Sequence, residues 1–136
     1  MGNERMKLNK CRFIILCICL FGLVGCQSER SLMPRTFEEI YPANLSDVTE
    51  IEIRHGNGEL KKFTDKEMID DWLESLKDIT FEPADKQEGS VGYLYSVKIF
   101  EGNEVKIFFD TSKIDDFYYI PNNQVVELIE ELFVES

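Results

Sequence analysis

The chain has 136 residues with 26 acidic and 15 basic side chains, a formal net charge of −11 and a single histidine. So acidic a surface repels nucleic-acid phosphates and anionic headgroups, which excludes a role in binding a phosphate backbone. One histidine rules out a two-histidine zinc site, and the length suits one small domain.

Lys7, Lys10 and Arg12 precede an unbroken apolar or glycine run from Phe13 to Val24, which ends at Gly25 and Cys26. A basic head, an apolar middle and a small residue at the cut make a secretory signal, and Met6 opens a more typical head than Met1. A membrane-spanning helix needs roughly 20 apolar residues to cross about 30 Å of hydrocarbon. Here Gln27-Ser28-Glu29-Arg30 follows at once, so the run reads as a leader and not a permanent span.

Leu23-Val24-Gly25-Cys26 resembles the lipobox of bacterial lipoproteins, in which the cysteine thiol is joined to diacylglycerol and the chain is cut just before it. The resemblance implies that residues 1–25 are removed. Cys26 then becomes the first residue and carries covalent lipid, and the protein is held on the extracytoplasmic face of the cell membrane. Two acyl chains, with each buried methylene adding about 0.8 kcal/mol, hold where one is marginal. No other cofactor is implied.

Residues 1–25 contain four of the basic and one of the acidic residues, so the remaining 111 carry 11 basic and 25 acidic residues, a net charge of −14. Cys11, Cys17 and Cys19 lie in the leader and Cys26 is the lipid site, which leaves the folded domain no cysteine for a disulfide or a metal. Its stability then rests on the core alone.

Residues 26–46, with Pro34, Pro42 and several Ser and Asn, read as a tether with one helical turn near Thr36-Phe37-Glu38-Glu39. The domain is expected over 47–136. Ile51 and Ile53 alternate with Glu50, Glu52 and Arg54 as in a half-buried strand. At the following turn, centring on Gly56-Asn57 sets Arg54 against Glu59, Ile53 against Leu60 and Glu52 against Lys61. These opposite-charge and apolar pairs are worth about 0.2–1 kcal/mol each and favour that register.

Thr64 and Glu67 then suggest a capping box, with Phe63 stapled onto Met68. The apolar stripe of the helix runs through Met68, Ile69, Trp72, Leu73, Leu76 and Ile79. Thr80 to Ser90 shows no period and reads as a long connection.

Val91 to Phe100 alternates again, with Tyr93, Tyr95, Val97 and Ile99 on one face. A loop Glu101-Gly102-Asn103 would set Ile99 against Val105, Val97 against Ile107 and Tyr95 against Phe109, keeping both apolar rows together. After a turn at 112–116, Phe117-Tyr118-Tyr119-Ile120 forms a third strand. Pro121-Asn122-Asn123 stops it and caps a last helix with the stripe Val125, Val126, Leu128, Ile129, Leu132 and Phe133. The order ββαβββα gives a two-layer α+β domain, an antiparallel sheet of about five strands with both helices on one face.

Beyond the lipobox, residues 48–133 are similar in outline to the small domains of uncharacterised Gram-positive lipoproteins, with a short tether and an opening Ile-x-Ile strand. That likeness implies no activity and carries over no site residue.

Chemistry is sparse in the domain. His55 sits in a turn, Asp70-Asp71 lies on a charged helix face, and residues 110–116 lack the spacing of an EF-hand loop. No catalytic or metal-binding residue is assigned. The leading reading is a non-catalytic binding or interaction module with a protein or cell-wall partner. A carboxylate-based envelope hydrolase, needing two acids about 5–10 Å apart, and a small-ligand or cation binder remain as alternatives.

The registers above bury Ile51, Ile53, Tyr95, Val97, Ile99, Val105, Ile107 and Phe109, and turn Glu50, Glu52, Arg54, Lys98, Phe100, Lys106 and Phe108 outward. Exposed rings rimmed by charge mark a contact surface, so Phe100, Phe108, Lys98, Lys106 and Arg54 are the candidate partner-binding face. The alternative is that Phe37, Ile40 and Tyr41 fold back over both rings.

With no cysteine beyond Cys26, the thermal midpoint of the domain should be the same with and without reductant in calorimetry. A shift would mean that a disulfide contributes to the fold.

Overall fold

A computed structural model of the chain describes residues 32–89 and 92–136. The leader, Cys26, the first part of the expected tether and Val91 lie outside the described residues.

The elements in chain order are β1 (Arg35–Thr36), α1 (Phe37–Ile40), a 3-10 turn (Leu45–Asp47), β2 (Glu50–His55), β3 (Leu60–Phe63), α2 (Lys66–Leu76), β4 (Thr80–Phe81), β5 (Tyr95–Glu101), β6 (Glu104–Asp110), β7 (Lys113–Ile114), β8 (Phe117–Tyr118) and α3 (Asn123–Val134). Six strands form an antiparallel sheet in the order β3-β2-β5-β6-β7-β8, and β1 pairs separately with β4. The expected order survives with short strands and one helical turn added. The inward faces of α2 and α3 join the inward row of the sheet in one core, giving the expected two-layer α+β arrangement.

The segment read as a tether is part of that core. Thr36 caps α1 with a full capping box, its hydroxyl accepting from the Glu39 N–H while the Glu39 carboxylate takes the Thr36 N–H at 2.8 Å. The Phe37 N–H donates to the Ile79 carbonyl and the Glu38 N–H to that of Lys77, both at 3.0 Å, so α1 docks beyond the end of α2. Phe37, Ile40 and Tyr41 are buried. The folded chain therefore begins by Arg35, and three large apolar side chains in a segment of otherwise tether-like composition are the reason.

The connection after α2 is also tied down. Thr80–Phe81 pairs with Arg35–Thr36, and Phe81 meets Phe37 and Phe109, with ring centroids 6.2 and 6.5 Å away, and Tyr119 at 4.9 Å. The Gln87 side chain then lies against β8 as a strand would. Its Oε1 accepts from the Tyr118 N–H and its Nε2 donates to the Tyr118 carbonyl, each at 2.8 Å.

Both hairpins depart from the registers expected, β2–β3 by one step and β5–β6 by one step at its tip and two steps beyond it. β2 and β3 pair Arg54 with Leu60, Ile53 with Lys61, Glu52 with Lys62 and Ile51 with Phe63. The turn is a three-residue loop in which Gly58 takes φ +98°, the type I turn with a left-handed glycine that such loops favour. This register puts Phe63 beside Ile51 in the core, a larger gain than a charge pair on the surface gives. It leaves Lys61 inward, where its ammonium donates to the Phe133 carbonyl at 2.6 Å and lies 4.8 Å over the Phe133 ring.

β5 and β6 close through the two-residue turn Gly102-Asn103, with Glu101 opposite Glu104 and Gly102 at φ +58°. A bulge follows, because Phe100 faces Val105 while Ile99 faces Ile107 and Lys106 is the extra residue. The bulge restores Ile107 and Phe109 to the core and turns Val105 out, where the expected register had buried it. The turn expected at 112–116 contains β7, which pairs with β8 around Asp115-Asp116. Tyr93 and Leu94 are exposed, and the strand starts at Tyr95.

α2 is capped one residue later than expected. The Asp65 carboxylate accepts from the Met68 N–H at 2.9 Å, so Thr64 is outside the helix and there is no Thr64–Glu67 box. Aspartate caps better than threonine, and Ile69, Trp72, Leu73 and Leu76 face in while Met68 stays exposed. α3 starts as expected, with Asn122 accepting from the Gln124 N–H at 2.9 Å. The helices meet where the Trp72 Nε1–H donates to the Leu128 carbonyl at 2.8 Å.

A chain beginning near residue 45 would lose Phe37, Ile40 and Tyr41 from the core. It should melt well below one beginning at residue 32, and Phe37→Ala should cost about 3–5 kcal/mol in urea denaturation. Equal stability of the two chain lengths would return residues 32–44 to the role of a tether.

Candidate functional site

The outward face of the sheet is built by simple alternation. With Ile51, Ile53, Val97 and Ile99 pointing in, the strand pairings set three rows outward: Leu60, Arg54, Ser96 and Asp110; then Lys62, Glu52, Lys98 and Phe108; then Glu50, Phe100 and Val105. The middle row is an electrostatic ladder. The Glu52 carboxylate, only 12% exposed, lies 3.7 Å from the Lys62 ammonium and 3.9 Å from that of Lys98.

Phe108 and Val105 are 44% and 45% exposed, and Phe100 is half-buried between Glu50 and Val105. These three make an apolar corner on β5 and β6. Lys113 and Tyr118, a cross-strand pair with the ammonium 5.3 Å over the ring, extend the face onto β7 and β8.

Of the five candidate residues, Phe100, Phe108 and Lys98 come together here. Arg54 is on the same face one row away, and its Nη1 donates to the Gly58 carbonyl at 3.3 Å. Lys106 leaves the row because it is the bulged residue, and it pairs with Glu104 at 3.1 Å and Glu101 at 3.8 Å. The hydrogen bond to Glu104 raises the Lys106 ammonium above the usual lysine pKa, although desolvation opposes it. Val105 replaces Lys106 on the face. The Gly102-Asn103 pair was its signal, since glycine first in a two-residue loop is a hairpin turn in its own right.

Phe37, Ile40 and Tyr41 do not cover these rings. They lie in the core, and the Tyr41 hydroxyl donates to Glu101 at 2.9 Å. Burial first, and then the Glu101 hydrogen bond, raise the Tyr41 phenol pKa.

The helical layer is chemically different. A groove of about 480 Å³ between α2 and α3 has Trp72, Leu128 and Leu132 below and Asp65, Glu67, Asp71, Glu131 and Glu135 around it. All five carboxylates are exposed, whereas a general acid needs burial or a like-charged neighbour to hold its proton at neutral pH. His55 is half-buried against Tyr95 and Phe133, its Nδ1 accepting from the Asn57 N–H at 3.2 Å. Among the described residues no three His, Cys, Asp or Glu side chains gather in a metal-binding group. No described helix is long and apolar enough to cross a membrane.

Compared with family models, with curated proteins and with solved structures, the chain finds no match.

Adjacent phenylalanines of β6 should behave oppositely. Phe109→Ala, fully buried, should cost about 3–5 kcal/mol, while Phe108→Ser should cost no more than about 1 kcal/mol. Denaturant titration of both variants checks this, and the reverse order would invert the two faces.

Proposed function

We propose that the protein is a lipoprotein, anchored through acylated Cys26 on the extracytoplasmic face of the cell membrane. On this reading the domain is a non-catalytic binding module whose outer sheet face takes a protein or cell-wall partner. Support for the anchor comes from the four-residue match at Leu23-Val24-Gly25-Cys26, at the junction of the apolar run and a polar segment. Support for the binding role comes from the corner of Phe108, Val105 and Phe100, apolar surface left open on a sheet whose other face is fully packed. Neither the groove between the helices nor His55 offers a comparable grouping for chemistry.

Labelled fatty acid fed to the producing cells should enter the wild-type protein and fractionate with membranes, and Cys26→Ala should abolish both. Labelling and membrane retention that survive Cys26→Ala would overturn the anchor.

A further inference from the structure

We propose that the outer sheet face is a self-association surface, and that its occupant is the same face of a second copy of this chain. The inference rests on reading that face as a contact surface and adds what fills it.

Charge distribution selects the occupant. The helical layer and its caps carry nine carboxylates, from Asp65 on α2 to Glu135 after α3, against only Lys66 and Lys77. Two copies cannot approach helix to helix without like-charge repulsion. The outer face is balanced within itself: Glu52 is shared by Lys62 and Lys98, and Lys106 at its rim is paired with Glu101 and Glu104. A partner there need not bring an excess of either charge, which is the condition an identical face meets. It also presents alternating sign along one row, Lys62, Glu52 and Lys98, and a two-fold axis passing between Glu52 and Lys98 sets each against the other's counterpart in the second copy.

The apolar corner supplies the driving force. Phe108 and Val105 each expose close to half of their surface, and a two-fold contact buries every such side chain twice. Face-to-face sheets pack about 10 Å apart through interdigitated side chains, a spacing that Phe108 and Lys98 can fill. Confinement of copies to one membrane plane by the proposed anchor would raise their effective concentration further.

The test uses the full chain in its producing membranes, with two differently tagged copies co-expressed and a photo-crosslinking amino acid at position 98 or, as a control on the helical layer, at position 131. Position 98 should give an adduct carrying both tags and position 131 should not. Phe108→Ser should lower the yield at least about tenfold, since one apolar side chain is lost from each copy. Val105→Ser should act in the same direction, and a cooperative melt of each variant shows that the fold is kept. Adducts at 98 that join one tag to a different protein would overturn self-association and keep the contact-surface reading. No adduct at 98, or equal adducts at 98 and 131 that ignore Phe108→Ser, would overturn both.

Discussion

Four aromatic rings from four distant stretches hold this domain together. Phe37 follows β1, Phe81 ends β4, Phe109 lies on β6 and Tyr119 follows β8, with neighbouring centroids between 4.9 and 6.5 Å apart. The Tyr119 hydroxyl remains satisfied by donating to the Asp110 carbonyl at 2.6 Å, and burial, with Asp110 nearby, raises its pKa. Edge-to-face pairs of this kind add about 0.5–1.5 kcal/mol beyond the area they bury. In a domain without a described disulfide or metal, they do the joining that a crosslink does in disulfide-bonded small folds. Docking of the N-terminal segment, closure of the long connection and placement of the last strands all depend on that cluster.

The bulge on β6 is the second constraint. A two-residue turn alone would put Val105, Ile107 and Phe109 on the same side as Phe100, and the core would lose Ile107 and Phe109. One extra residue corrects the phase for the inner part of the strand and leaves the tip in the other phase. The cost falls on Val105, which is exposed, and on Lys106, which is drawn to the glutamates at the turn. The apolar corner of the outer face is thus a by-product of keeping the core filled, and its shape follows from where the bulge sits.

Much of this architecture was legible in the chain. Period-2 patterning around Ile51 and Ile53 and the stripes Ile69 to Leu76 and Val125 to Phe133 located the sheet, the helices and their common face, because each burial pattern repeats over several turns or strands. Outward placement of Phe100, Phe108 and Lys98 was legible for the same reason. Details decided by a single residue were not. Phe37, Ile40 and Tyr41 carry a helical period too short to separate from a tether, and their burial depends on Phe81 and Phe109, which are far away in sequence. The register of β3 turned on whether Phe63 or Leu60 entered the core, which cross-strand charge pairing does not weigh. A bulge has no sequence mark beyond the conflict it resolves, here between a Gly-Asn turn and an apolar row.

The segment from Glu82 to Gln87 makes the two ends of the sheet unequal, its backbone bridging Pro83 to Tyr119 and its last side chain reaching Tyr118. At β8 the Tyr118 backbone is already paired, through both its N–H and its carbonyl, to a side chain from the same molecule. At β3 no other described strand pairs beyond the edge, and Lys62 stands along it. A sheet that can lengthen at one end only cannot propagate: two molecules meeting through β3 exhaust both free edges. The route from edge pairing to a fibre stops at two, because the backbone of Glu82 to Ala84 and the Gln87 amide together close the β8 end.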